Sequence, residues 1–335
     1  MNILFYLPQP MLEHCFAPQQ LERLQSTHKV LLPQSVNAQE LLTEYNQTAP
    51  QSEALITGWD SPPLTDTMLD AAPSLKVLIH SAGSIKALVP PSIWHRDIRV
   101  ATCNDALAVG VAETTLGCII TGLKGVFPAR DWTTKGHWQD PKLGTNRVLV
   151  RELFDVTIGI IGASKVGRHV IRLLQSFETN IVVADPFLSE DAAKSLGVTR
   201  VSLEELVACS DVISLHAPVL PSTRKMLKRQ HFQSMKNDAI FINTARGALL
   251  DEAALVDELK TGRIFAFIDV TDPEPPAADH PFRSLPNVAL TPHISGHLSN
   301  GVFRQGRSAV EQLLEYSAGK TMHGEVTEAM FNVMG

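Results

Sequence analysis

The stretch Ile158-Gly159-Ile160-Ile161-Gly162-Ala163-Ser164-Lys165-Val166-Gly167 reads as an apolar strand that breaks at a glycine and restarts as a helix. That context is what a dinucleotide fingerprint requires. Gly162 makes the tight turn, and Gly167 lets the helix pack on the sheet. The helix N-terminus then offers free N–H groups and a favourable dipole to a pyrophosphate. Ser164 departs from the usual glycine at the middle position. Its Cβ crowds the pyrophosphate, although its hydroxyl can donate a hydrogen bond. Alone, the pattern also fits an ordinary strand–turn–helix connection. Asp185 adds to it, ending the next apolar run 18 residues after Gly167, where an acid binds the ribose hydroxyls of NAD. Pro186 and Phe187 follow, with no neighbouring arginine for a 2′-phosphate, which favours NAD over NADP. An aspartate before proline is also a common turn residue.

Outward from this turn the pattern is regular. Strands are expected at 157–161, 181–185, 212–215, 239–243, 264–269 and 288–291, six in all. A helix is expected at 167–177. Ser202 with Glu205 makes a capping box for a short helix. Asp251 caps another helix that Gly262 ends. Continuous Ile/Val/Phe-rich strands alternating with helices indicate a parallel, doubly wound α/β sheet. The first hundred residues form a smaller α/β unit, with strands at 3–7, 30–32, 54–56, 77–79 and 98–101. Between them lies an apolar helix, 106–122, of the kind buried between domains or subunits. A polar loop over 129–146, with Trp132, Gly136 and Trp138, reads as an excursion that could cover a partner subunit. An amphipathic segment at 308–314 precedes a weakly patterned tail.

The chain has 335 residues, 44% of them hydrophobic and 19% charged, enough for two ordinary domains with real cores. A net charge of -6 without a dense Lys/Arg run argues against a nucleic-acid surface. Cys15, Cys103, Cys118 and Cys209 are scattered without a CxxC pair, so neither a metal site nor a disulfide scaffold is expected and a cytoplasmic location is. The N-terminus lacks a basic region and a long apolar run, so it reads as a strand and not a signal peptide. Glu113, Thr114, Thr115 and Thr121 interrupt the longest apolar stretch, so a membrane span is not expected.

Three polar residues follow strand ends on the edge where ligands of such sheets bind. Arg246, in Asn243-Thr244-Ala245-Arg246-Gly247, is a fixed cation able to hold the carboxylate and carbonyl oxygens of a 2-oxo acid. Glu274, in Asp269-Val270-Thr271-Asp272-Pro273-Glu274-Pro275, can hydrogen-bond His293, fix its tautomer and favour the imidazolium. His293, closing Leu290-Thr291-Pro292-His293, can give or take a proton near neutral pH. Each has a plainer reading: surface arginine, solvated loop acid, one histidine of twelve. His297 is the competing histidine, farther beyond the strand end.

Together these segments resemble the D-isomer-specific 2-hydroxyacid dehydrogenase family. Asn104 with Val111-Ala112-Glu113 is similar to its interdomain helix, and Gly136 and Trp138 to the loop before its fingerprint. Glu152-Leu153 through Gly167 resembles its cofactor turn, and His216-Ala217-Pro218 with Thr223 the segment beside the adenosine. Residues 243–247, 269–275 and 291–293 resemble its three catalytic blocks. The likeness is strong over 104–296 and thin elsewhere. It implies an Arg246–Glu274–His293 catalytic set. It also implies cofactor contacts from Gly162, Ser164, Lys165, Val166, Gly167, Asp185, His216, Pro218, Thr223, Thr244 and Ala245, with Asp269 on the nicotinamide carboxamide. The backbone at Ala82, Gly83 and Ser84 would bind the substrate carboxylate, although Ser84-Ile85-Lys86-Ala87 replaces the family's Gly-x-Asp-Asn continuation. A Rossmann NAD-binding domain, 104–296, would be inserted into a flavodoxin-like substrate domain made of 1–103 and 297–335. With no regulatory segment after residue 335, the long form of phosphoglycerate dehydrogenase is not expected.

The resulting expectation is an NAD-dependent oxidoreductase acting on the CH–OH group of a 2-hydroxy acid, or on the matching 2-oxo acid. Glyoxylate, hydroxypyruvate, phosphoglycerate and bulkier acids all stay open as substrates. A homodimer is expected, with no metal and no nucleic-acid or membrane partner. The alternatives are an NAD(H)-sensing binding protein or corepressor on the same fold, and a 2-amino-acid dehydrogenase, which would want a lysine base that no ordered motif supplies.

Overall fold

Alternation along β1 (Asn2–Tyr6) sends Leu4 and Tyr6 into one apolar cluster and Ile3 and Phe5 into another, so the sheet built on it is covered on both faces. The computed structural model describes residues 1–137, 150–296 and 298–334. It divides into two compact units, Met1–Leu107 with His297–Gly335, and Ala108–Gly296.

In the first unit β1 is joined by β2 (Lys29–Leu31), β3 (Ala54–Thr57), β4 (Val77–His80) and β5 (Arg99–Thr102). All are parallel, in the order β2-β1-β3-β4-β5, with Glu325–Val326 antiparallel outside β5. This is the flavodoxin-like order, with its switch point between β1 and β3. The helix Val302–Ser317 covers one face, burying Ala309, Val310 and Leu313 with Ile3, Phe5 and Ile79.

The second unit holds β6 (Phe154–Ile161), β7 (Glu178–Ala184), β8 (Thr199–Arg200), β9 (Val212–Leu215), β10 (Ile240–Asn243), β11 (Phe265–Ile268) and β12 (Val288–Leu290). They pair in parallel in the order β8-β7-β6-β9-β10-β11-β12. The chain reverses direction across the sheet between β6 and β9, the place where a Rossmann sheet receives a dinucleotide. Seven strands among the described residues exceed the six expected. The addition, β8, is two exposed residues at the sheet edge, too short to carry an apolar period.

The apolar helix is Asn104–Leu123, and by length and composition it could cross a membrane. Ala112, Ile119 and Leu123 are instead buried with Ile158, Ile160 and Ile240 in the core beside the second sheet. Each fully buried aliphatic side chain contributes roughly 1.5–3 kcal/mol. Gly122 lies so near the sheet that a Cβ would meet Ile240 and Phe267 at 3.0 Å. The stretch read as a loop over 129–146 begins inside a helix, Val126–Thr134, because Phe127 packs on Phe265 and Phe267 and gives it an apolar face. Gly136 follows that helix at φ +85°, and residues 138–146, with Trp138, lie outside the described residues, as does His297.

Candidate active site

Gly162 sits at φ +94° after β6, and a Cβ there would stand 2.8 Å from the Ala217 main-chain nitrogen. Only glycine satisfies both the backbone angle and the approach of the loop after β9. At Gly167 a Cβ would collide with the Gly162 carbonyl oxygen, so the helix Lys165–Leu174 rests directly on the turn. The turn therefore leaves main chain, not side chain, facing the switch point, which suits a pyrophosphate. Ser164 caps this helix, its Oγ accepting from the Gly167 N–H at 3.3 Å. The hydroxyl foreseen as a donor to phosphate thus occupies one of the helix's own free donors. Lys165 is exposed and Val166 half-buried. Asp185 follows β7 directly, accepting the Ala163 N–H at 2.7 Å and the Phe187 N–H at 2.8 Å. It locks the glycine turn against the neighbouring strand end and is half-buried at that edge.

The loop after β9 is built by its own polar groups. His216 is buried, its Nε2 lies 2.8 Å from Ser214 Oγ, and burial pushes its pKa down to about 3, so the ring is neutral. The Thr223 hydroxyl donates to the Pro218 carbonyl at 2.6 Å and accepts the Leu220 N–H at 2.8 Å.

After β10, the buried Asn243 amide shapes the arginine turn. Its Oδ1 accepts the Ala245 N–H at 3.0 Å and its Nδ2 donates to the Arg246 carbonyl at 3.0 Å. Thr244 meets Thr115 of the long helix at 3.2 Å. Arg246 is exposed and its guanidinium donates to the Ala245 carbonyl at 2.6 Å. Among the described residues it makes no hydrogen bond to Glu274 or His293. The two loops still meet, because a Cβ on Gly247 would run into the Thr271–Asp272 main chain.

Glu274 Oε1 and His293 Nδ1 lie 2.6 Å apart, with side chains 39% and 45% exposed, so the pair is formed yet open to solvent. His293 is held at φ +55°, with its N–H on the Asp269 carbonyl at 2.9 Å. The Asp269 carboxylate holds the same turn, accepting from Thr291 Oγ1 at 2.6 Å, Ile294 N at 2.9 Å and Ser295 N at 2.8 Å. Burial works to raise the Asp269 pKa, but these donors outweigh it and keep the acid below its ordinary value. Asp269 thus builds the histidine turn, a role its position in the sequence did not disclose. Beside the pair a cavity of about 520 Å³ is lined by Thr271, Glu274, Pro275, Leu290, Pro292 and His293.

The loop foreseen for a substrate carboxylate follows β4 in the other unit. Ala82 is buried, Gly83 half-buried and Ser84 exposed. Cys103 N–H donates to the Ala82 carbonyl at 3.1 Å, and a Cβ on Gly83 would stand 3.2 Å from Asn104 Oδ1. Among the described residues no group of histidine, cysteine and acid side chains could hold a metal ion.

Residues 116–295 match the family model described as the D-isomer specific 2-hydroxyacid dehydrogenase, NAD binding domain. The chain is 32% identical over 272 residues to the D-3-phosphoglycerate dehydrogenase of Methanocaldococcus jannaschii, covering 81% of this chain but only 50% of that protein. It is 30% identical over 255 residues to the hydroxypyruvate reductase of Thermotoga maritima, covering 75% of this chain and 81% of the relative. A crystal structure of a phosphoglycerate oxidoreductase from Rhizobium etli superposes with a TM-score of 0.84 at 25% identity, over 97% of this chain and 98% of the other.

Proposed function

The chain belongs to the D-isomer-specific 2-hydroxyacid dehydrogenase family, and from that premise we propose that it interconverts a small 2-oxo acid and its 2-hydroxy acid using NAD(H). The observation that carries this reading is the 2.6 Å Glu274–His293 pair at the carboxyl edge of the sheet whose switch-point turn accepts a dinucleotide. Glu274 takes the Nδ1 side of the ring, leaving Nε2 to exchange a proton with the substrate oxygen. Arg246 contributes the cation that binds the carboxylate and the oxo oxygen, and it stabilises charge that develops there. Asp185 receives the ribose hydroxyls, and Ser164, Lys165, Val166 and the two glycines line the pyrophosphate. Pro218, Thr223 and His216 shape the adenosine side, and Thr244, Ala245 and Asp269 the nicotinamide side. When bound, the nicotinamide supplies or takes the hydride at C2. Ala82, Gly83 and Ser84 hold the substrate carboxylate through main-chain N–H groups.

Residues 1–103 and 297–335 act as the substrate domain and 104–296 as the cofactor domain. The exposed apolar side chains of Ile120 and Val126 favour a homodimer that covers them. The protein is read as cytoplasmic, with no nucleic-acid or membrane partner. NADH consumption across 2-oxo acids from glyoxylate and hydroxypyruvate to bulkier ones tests the function. Turnover with at least one acid is expected, lost by about a hundredfold or more in His293→Ala. Equal turnover in that variant removes His293 from the mechanism. NADH binding without turnover on any acid favours a sensor instead.

A further inference from the structure

A side chain outside the set above, carried on the segment after β10, reaches into the loop after β11. Glu252 is the first residue of the helix Glu252–Lys260, and its side chain is only 14% exposed. Its Oε1 accepts the Asp272 main-chain N–H at 2.8 Å, and its Oε2 lies 3.6 Å from His280 Nε2. Asp272 stands two residues before Glu274. Neither Pro273 nor Pro275 has an N–H, so Asp272 and Glu274 carry the only main-chain donors across 272–275. One of those two donors is spent on Glu252. The neighbouring contacts tie the same point to the other loops. Arg224, after β9, faces the Asp272 carboxylate at 3.4 Å. Lys225 N–H donates to the Ala248 carbonyl at 2.9 Å, and Asp251 N–H to the Leu227 carbonyl at 2.9 Å. The Thr271 hydroxyl closes the turn on the Pro273 carbonyl at 2.9 Å.

We propose that Glu252 is a positioning residue: by holding the Asp272 main chain it seats the loop that presents Glu274 to His293. The proposal rests on the reading of that pair as the acid/base apparatus. Asp269 fixes the histidine side of the pair through its turn, and Glu252 fixes the glutamate side. A glutamate that served only to start its helix would leave the Asp272 amide untouched.

The test uses the full chain with Glu252→Ala and Glu252→Gln. Amide hydrogen exchange at Asp272, read by NMR, is expected to lose protection in Glu252→Ala and to keep most of it in Glu252→Gln, which retains an acceptor oxygen. The kcat of Glu252→Ala is expected to fall about tenfold with KM within about twofold, as a displaced catalytic group would cause, and Glu252→Gln to recover most of the loss. Should Glu252→Ala not fold, Glu252→Asp, which withdraws the carboxylate by one methylene, replaces it with the same expectations. An Asp272 amide as protected as in the wild type, or an unchanged kcat, overturns the proposal. If the wild type turns over no 2-oxo acid, the catalytic reading falls alone. The Asp272 amide and the ¹⁵N signal of His293 Nδ1 in the same variants then decide the clamp, and an unmoved ring signal overturns it.

Discussion

Replacing Glu252 by glutamine should make the protein's stability respond differently to pH. Burial raises the Glu252 carboxyl from its ordinary 4.5 to about 7, helped by the Asp272 charge and opposed by the Asp272 N–H. The folded chain therefore keeps this proton where the unfolded chain has released it. The favourable contribution is fully present below about pH 4.5 and is lost as pH rises through about 7, levelling off above it. The interval between 4.5 and about 7 corresponds to about 3 kcal/mol. Glutamine does not titrate, and carboxylates elsewhere are common to both proteins. The stability of the wild type minus that of Glu252→Gln should thus fall by about 3 kcal/mol as pH rises from 4.5 through 7 and level off by about pH 8. Urea unfolding of both proteins across pH 4.5–8 measures it. A difference constant to within about 0.5 kcal/mol, the usual limit of additivity, refutes the reasoning.

Gly247→Ala should lower kcat by about tenfold or more while NADH affinity holds, because its Cβ displaces the Thr271–Asp272 main chain; wild-type kcat would show the contact to be slack. Gly162→Ala should abolish NADH binding by calorimetry, since both φ +94° and the approach of Ala217 exclude a side chain. Ser164→Ala should cost about 1 kcal/mol of stability through loss of the helix cap, and Ser164→Gly only a few tenths. Ser164→Gly should also bind NADH more tightly, because the Gly167 N–H is released; unchanged affinity in a fluorescence titration would count against that account.

The fold could be read because its constraints are local. A glycine forced to positive φ between an apolar strand and a helix marks the switch-point turn within ten residues. Continuous Ile/Val/Phe runs mark strands buried on both faces, as β10 shows. Other features depend on partners distant in sequence. β8 is two exposed residues that pair only because β7 is there. The helix Val126–Thr134 is stabilised by Phe127 stacking on Phe265, more than a hundred residues onward. At the site, positions after strand ends pointed to Arg246, Glu274 and His293, and the structure brings the last two into contact. Glu252 gave no such signal, because an acid in the first turn of a helix is ordinary. Its significance comes from a main-chain donor twenty residues away. Asp269 likewise reads as an acid at a strand end, yet most of its acceptor capacity is taken by the histidine turn.

The helix Val302–Ser317 and the strand Glu325–Val326 complete a sheet begun at Asn2. During synthesis the NAD-binding unit possesses all of its strands once residue 290 has left the ribosome. The N-terminal sheet must then wait with the face carrying Ile3, Phe5 and Ile79 only partly covered, by Leu12, Phe16 and Leu24, until Ala309, Val310 and Leu313 emerge. Its closure spans some three hundred residues, so this sheet, begun before the NAD-binding unit, is finished after it.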